Sequence, residues 1–398
     1  MMVENNQLAI LQPQYLTMKL KFLIFASLAS FQLKAQSISF PMESKYWDYD
    51  SSAVQFIKQG NTSTAKPKKN GGYQIFLKNQ VFTNGTIEYD VELTGIGFPG
   101  INFRMSADKK NGENFYIRSF GKVNALARTT LQYAAIINGT SMWDLSDAYQ
   151  SGADIKQPGL NHVKLVISGK QMLAYVNDMT RPALQIPELE GRISSGGISL
   201  SGNVIYSNLK INPASTEGLS PGPGIDITAN DTRYLRKWQV TAPVDFPFGK
   251  DIILSLPSTY GDLNKSELPD SNTVWKPIEA ENRAIVNLNR IYGSGIRDQR
   301  RLVWLKTTIH SDKDQERILQ LGFSDEIWVF INGQILYVDK NYFGTPEQKE
   351  PRGRCTIDNT TIKLPLKQGD NTVMIALTNY FFGWGIVARL DSPDGLLY

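Results

Sequence analysis

The sequence predicts an all-β protein of two antiparallel β-sandwich (jelly-roll) domains joined by a Pro/Gly-rich linker. Three observations predict it. Short runs rich in Val, Ile, Thr, Tyr and Phe recur at close intervals and are separated by Gly, Asn and Pro. No window sustains a 3.6-residue apolar period. At 398 residues the chain exceeds what one hydrophobic core usually serves.

The elements follow in order. The run 86–93 alternates strictly between Thr86, Glu88, Asp90 and Glu92 on one side and Ile87, Tyr89, Val91 and Leu93 on the other. It is launched from Asn84-Gly85, and its early position suggests an edge strand. Further strands are expected at 100–105, 115–120 and 130–137, then at 162–167 and 172–176 around Ser168-Gly169-Lys170-Gln171, with 197–200 and 206–211 closing the set. The stretch Pro213 to Gly224 is the expected linker. Strands resume at 237–241, 284–288, 301–310 and 317–322. A hairpin is expected from 326–331 and 334–338 around Asn332-Gly333. Strands at 361–364, 371–379 and 385–390 finish the second sandwich, and 256–275 reads as loop. The domain expectation is 37–212 and 225–398, with 213–224 between them.

Residues 1–35 carry an export signature. Met18-Lys19-Leu20-Lys21 is positive, 22–31 is largely apolar, and Leu33-Lys34-Ala35 fits a small-residue cleavage site. Met18 is the expected initiator, because 1–17 lack that pattern. The apolar run is too short to span a bilayer, so no membrane span is expected after cleavage, and the address is periplasmic or extracellular. The formal charge is +4; cleavage removes three lysines and Glu4, leaving +2. Lys and Arg are scattered, which excludes the basic stripe that nucleic acid needs. Cys355 is the lone cysteine, so both cores must stand without an internal disulfide.

The chemistry-bearing residues are sparse. The two histidines, His162 and His310, have no nucleophile elbow and no His-x-x-His partner, which speaks against Ser/His/Asp catalysis and zinc. No cofactor is expected; calcium near Asp312 and Asp314 is left open, since their spacing falls short of an EF-hand. Glu88, Asp90 and Glu92 share a strand face, but a solvated face explains them better than a glycosidase carboxylate set.

The expected ligand-binding surface comes from strand parity. Ile101, Phe103 and Met105 point one way and leave Asn102 and Arg104 opposite. Phe115 and Ile117 alternate with Tyr116 and Arg118, and Leu131 and Tyr133 with Gln132. Adjacent strands would then place Arg104, Arg118 and Gln132 beside Tyr116, with Trp143 at the rim. Planar polar groups next to an aromatic ring suit sugars, whose C–H faces stack while hydroxyls take paired hydrogen bonds. Trp384, between Gly383 and Gly385, is a further stacking candidate or a core tryptophan. Tyr342-Phe343-Gly344 is a loop aromatic of interest.

Two resemblances bear on these segments. Gly100-Ile101-Asn102-Phe103-Arg104, Asn114-Phe115-Tyr116-Ile117-Arg118, 160–166 and Ala174-Tyr175-Val176-Asn177-Asp178 resemble the concanavalin A-like lectin/glucanase superfamily, in its laminin-G-like branch. They are also similar to the secreted bacterial 3-keto-disaccharide hydrolase-like domain. Arg236-Lys237-Trp238-Gln239-Val240, the run 319–333, 369–373 and Phe382-Gly383-Trp384-Gly385 resemble the galactose-binding-domain-like jelly rolls appended to secreted glycosidases. These resemblances imply a secreted carbohydrate-binding protein active in glycan utilisation, with a companion glycosidase as a candidate partner. A glycoside hydrolase acting on a disaccharide or glycan in the first domain is the alternative, and a structural or adhesive module is a third.

Overall fold

A computed structural model describes residues 36–120, 125–213, 215–293 and 299–398. The export signature at 1–35 therefore lies outside the described residues. The chain is 47% strand and 4% helix, an all-β protein. No helix among the described residues is long and apolar enough to cross a membrane.

The first sandwich packs two eight-stranded antiparallel sheets. Sheet I runs Leu184–Ile186, Gln171–Val176, Gly159–Ser168, Gly85–Leu93, Ile205–Pro213, Thr62–Pro67, Val54–Gln59, with Ile38–Phe40 also on Ile205–Pro213. Sheet II runs Thr140–Ser141, Leu131–Ile137, Gly112–Ile117, Gly100–Met105, Gly197–Gly202, Tyr73–Leu77, Trp47–Tyr49, with Gln150–Ser151 also on Leu131–Ile137. The alternation at 86–93 is why a core forms here: Ile87, Tyr89, Val91 and Leu93 are buried against Phe103, Phe115, Tyr133 and Leu200 from sheet II.

Gly85–Leu93 is a central strand, flanked by Gly159–Ser168 and Ile205–Pro213, which corrects the expected edge position. Its polar face is an ion-paired outer surface. Asp90 accepts hydrogen bonds from His162 Nδ1 at 2.6 Å and from Asn208 Nδ2 at 2.6 Å, and Glu88 lies 3.4 Å from His162 Nε2. The hydrogen bond to Asp90 and then the negative charges of Asp90 and Glu88 raise the His162 imidazole above its ordinary pKa despite partial burial.

The second sandwich places an eight-stranded sheet III against a four-stranded sheet IV. Sheet III runs Lys276–Glu279, Lys237–Val240, Arg301–Ser311, Gly369–Thr378, Glu326–Ile331, Gln334–Lys340, with Val244–Asp245 and Leu396–Leu397 also on Arg301–Ser311. Sheet IV runs Ile285–Asn287, Gly385–Leu390, Gln315–Ser324, Thr360–Leu366. The hairpin from Glu326–Ile331 to Gln334–Lys340 turns at Asn332 and Gly333, both with positive φ, as an Asn-Gly turn requires. The stretch 256–275 is irregular apart from the short turn Lys265–Glu267.

The two sandwiches belong to one compact unit, 37–398. The Pro/Gly-rich stretch is laid along the first sandwich over 215–224: Lys170 N–H donates to Gly222 O at 2.9 Å and, just after it, Ile225 N–H donates to Pro187 O at 3.0 Å. An apolar cluster joins the sandwiches, with Ala135, Ile137, Met142 and Leu145 from the first and Ala284, Ile285, Cys355 and Val387 from the second. Polar groups reinforce it. Arg283 grips the buried Glu190 in a two-pronged ion pair, Nε to Oε1 at 2.9 Å and Nη2 to Oε2 at 3.1 Å. Asn282 Nδ2 donates to Tyr149 OH at 2.8 Å, and Asn138 Nδ2 to Asn289 O at 2.7 Å.

Candidate functional site

The joint leaves a cleft of about 920 Å³ between the sandwiches. Its floor is the outer face of sheet II, with Asn102, Asn114, Tyr116 and Ile136; Arg118 follows directly on the strand Gly112–Ile117. Strand parity dictates this face, because Phe115 and Ile117 go to the core and leave Asn114 and Tyr116 outward. Asn114 Nδ2 donates to Asn102 Oδ1 at 2.8 Å, and Asn102 Nδ2 to Ser199 Oγ at 3.0 Å, a polar ladder across three strands.

Aromatic rings make the walls. Phe98 and Phe120 stand at the first-sandwich rim, 55% and 48% exposed, with centroids 4.8 Å apart. Trp143 sits edge-on to Phe343 at 5.0 Å and to Phe381 and Phe382 at 6.3 and 6.0 Å, so its ring is clasped by loops of the second sandwich. Arg354 lies over the Trp143 ring, 4.9 Å from its centroid. Arg352 completes the lining on that side.

Gln132 organises the floor without reaching the surface, being fully buried. Its Oε1 accepts from Tyr116 OH at 2.9 Å and from Arg118 Nη2, while its Nε2 donates to Trp143 O at 2.6 Å. One amide thus fixes the phenol, the guanidinium and the loop that carries the indole. Arg118 Nη1 is held by Thr129 O at 3.0 Å, and burial lowers the pKa of this guanidinium.

Four of the six expected site residues meet here: Tyr116, Arg118, Gln132 and Trp143. Two do not. Arg104 points away from the cleft and is 2% exposed; its Nε donates to Thr83 O at 2.9 Å and its Nη2 to Gly169 O at 2.7 Å and Asn84 Oδ1 at 3.1 Å. The cause is local. Arg104 has φ of 50° and the pairing with Gly197–Gly202 slips between Gly197 and Ser199, so parity fails one residue past Phe103. Its role is to clamp two turns together. Trp384 is a core residue, 1% exposed, packed beside Tyr292 with the Arg301 guanidinium 4.9 Å from its ring. The flanking glycines serve close packing: a Cβ on Gly383 would stand 2.4 Å from Asp144 Oδ1.

The sequence reading missed Phe98, Phe120, Phe381, Phe382, Arg352 and Arg354, which lie on loops. The aromatic run Tyr380-Phe381-Phe382 before Gly383 was a readable signal, since consecutive aromatics outside a strand pattern call for a partner surface.

Behind the cleft, two carboxyls from the two sandwiches are buried together. Asp144 accepts from Gly383 N–H with both oxygens, at 3.0 and 2.9 Å, and Asp325 accepts from Phe381 N–H at 2.9 Å. Ser324 Oγ connects them, 2.8 Å from Asp325 Oδ1 and 3.5 Å from Asp144 Oδ2. Burial pushes Asp325 up to about 7; burial and the neighbouring Asp325 hold Asp144 well above the carboxylate range. Neither lines the cleft. Asp314 turns instead to Gln368 N–H and Lys367, and no group of three or more His, Cys, Asp or Glu among the described residues could hold a metal ion.

No protein-family model matches this sequence, and no curated protein matches it. Solved structures similar to parts of it include the carbohydrate-binding module CBM66 from Bacillus subtilis, 16% identical with a TM-score of 0.31 over 42% of this chain and 93% of that one. A protein with a galectin-like fold from Bacillus subtilis is 13% identical, TM-score 0.33, over 44% and 94%. The exoplasmic/lumenal domain of VIP36 in a Ca2+/Man-bound form is 10% identical, TM-score 0.33, over 48% and 94%. Each spans less than half of this chain, and the likeness assigns it no ligand.

Proposed function

We propose that this chain is an exported carbohydrate-binding protein whose site is the cleft between the sandwiches. The observation that carries the reading is the lining itself: rings on both walls, Phe98 and Phe120 facing the Trp143, Phe343, Phe381 and Phe382 group, over a floor of amides and a guanidinium. Rings stack on the C–H faces of pyranosides, and fixed planar donors take their hydroxyl pairs. The volume, about 920 Å³, accommodates a short oligosaccharide segment. The N-terminal export signature supports a periplasmic or extracellular site of action, where polysaccharide fragments and a companion glycosidase would be met.

Binding is favoured over hydrolysis because glycosidase chemistry needs two carboxyls facing one another across the bond to be cut. Among the described residues the lining carries none, and the buried Asp144 and Asp325 serve the joint between sandwiches.

The test is affinity electrophoresis and calorimetry of the mature chain against a panel of soluble polysaccharides and oligosaccharides. Phe98→Ala, Phe120→Ala and Phe382→Ala change exposed rings, so thermal stability should hold. Each should weaken binding of the retained glycan by about tenfold, the worth of a lost stacking contact. Unaltered affinity in all three would remove the cleft as the site. Release of new reducing ends from a bound glycan would replace binding with catalysis.

A further inference from the structure

The cleft is charged on one side of the ledger only. Arg118, Arg352 and Arg354 line it, and no carboxylate among the described residues does. Arg118 is held entirely by neutral acceptors: Thr129 O, Tyr116 OH, Gln132 Oε1 and, at 3.4 Å, Gln150 Oε1. Arg354 is 3% exposed; among the described residues its guanidinium's only hydrogen bond is a long one from Nη1 to Pro351 O at 3.4 Å, and its buried Nε has no hydrogen-bond partner. The nearest carboxylate, Asp147, lies 3.7 Å from that Nε and is already engaged by Arg128 at 2.8 Å. The guanidiniums of Arg118 and Arg354 also repel each other; burial first, then the Arg118 charge, bring Arg354 down to about 10.

A buried cation with one long hydrogen bond, a ring face and a shared carboxylate at 3.7 Å, beside a second cation held only by neutral groups, is costly unless something arrives to pair with it. A guanidinium presents a planar fork that matches the two oxygens of a carboxylate or a sulfate ester. We propose that the cleft selects saccharides bearing an oxyanion substituent, a uronate carboxylate or a sulfate ester, which seats against Arg354 and Arg352 while the sugar rings lie on the aromatic walls. This rests on the sugar-binding reading above and names the substrate class of that same site. The buried, fixed guanidinium of Arg354 supplies recognition; the exposed Arg352 supplies attraction at the entrance.

The test uses the full mature chain and matched ligand pairs: oligogalacturonate against its methyl ester, and chondroitin sulfate oligosaccharides against their desulfated and carboxyl-methylated forms. At low salt an acidic member should bind at least about tenfold more tightly than its neutralised partner, as expected for a charge-assisted pair. The advantage should shrink as salt rises. Whichever neutralisation abolishes it, methylation or desulfation, identifies the oxyanion. Arg352→Gln, on an exposed side chain that leaves the packing untouched, should reduce the acidic preference severalfold. Arg354→Gln should abolish it, while Arg354→Lys retains part of it. Equal affinity for charged and neutral partners, or a preference unmoved in both Arg352→Gln and Arg354→Gln, overturns the proposal and leaves the sugar-binding reading standing. Retention of no glycan, charged or neutral, overturns both.

Discussion

Gln132 shows how one buried side chain sets a surface it never reaches. Its carbonyl oxygen receives Tyr116 and Arg118, and its amide holds the backbone of Trp143. Gln132→Leu should leave those donors and one carbonyl unmatched, lowering stability by about 1–3 kcal/mol. It should also weaken the proposed glycan binding although residue 132 does not reach the cleft surface; chemical denaturation together with calorimetry measures both, and intact affinity would show that the floor is preset by the backbone alone. Arg104 is the counterexample at the same scale. Its alternation with Phe103 reads as a cleft residue, yet one left-handed φ turns it inward. A bulge of this kind leaves no mark in hydrophobic alternation, because it shifts parity without changing composition.

At the scale of elements, the sheets were largely legible and the loops were not. The run 86–93 names its own buried face, and Asn332-Gly333 names its own turn, because both signals are local. The walls of the cleft are long-range: Phe343, Arg352, Arg354, Phe381 and Phe382 reach it from loops 200 or more residues beyond Tyr116 and Trp143, and nothing local encodes that meeting. What brings them there is the joint between sandwiches. The Glu190 side chain is only 8% exposed and is gripped by Arg283, so removing one charge strands the other. Glu190→Gln should cost about 3–5 kcal/mol and lower the melting temperature; a change within about 0.5 kcal/mol would mean the apolar cluster alone holds the sandwiches together. Gly383→Ala should act at the same joint, since its added carbon would collide with Asp144 and Leu145.

For the whole molecule, the buried Asp144 and Asp325 link domain contact to pH. Asp325 holds its proton up to about 7 in the folded chain and releases it near 3.9 when unfolded. Between those values the folded state binds more protons than the unfolded one, so this group's contribution is fully present below about pH 4 and is lost as pH rises toward 7. Asp325→Asn keeps one acceptor oxygen for the Tyr380 and Phe381 amides, which share a single oxygen of Asp325, without a titrating proton. Wild-type stability should therefore fall relative to Asp325→Asn as pH is raised from 4 to 7, and parallel pH profiles would show that the group stays ionised in the fold. The same joint that buries these acids shapes the cleft, so the proposed binding surface and the contact between sandwiches rest on shared residues.

Hydrogen exchange measured on the chain with and without a saturating retained oligosaccharide tests the two-walled cleft most directly. The expected result is added protection in segments from both sandwiches at once, 98–102, 114–118 and 141–143 with 343–354 and 380–382. Protection confined to the outer face around Glu88 and His162, or to a single sandwich, would contradict it.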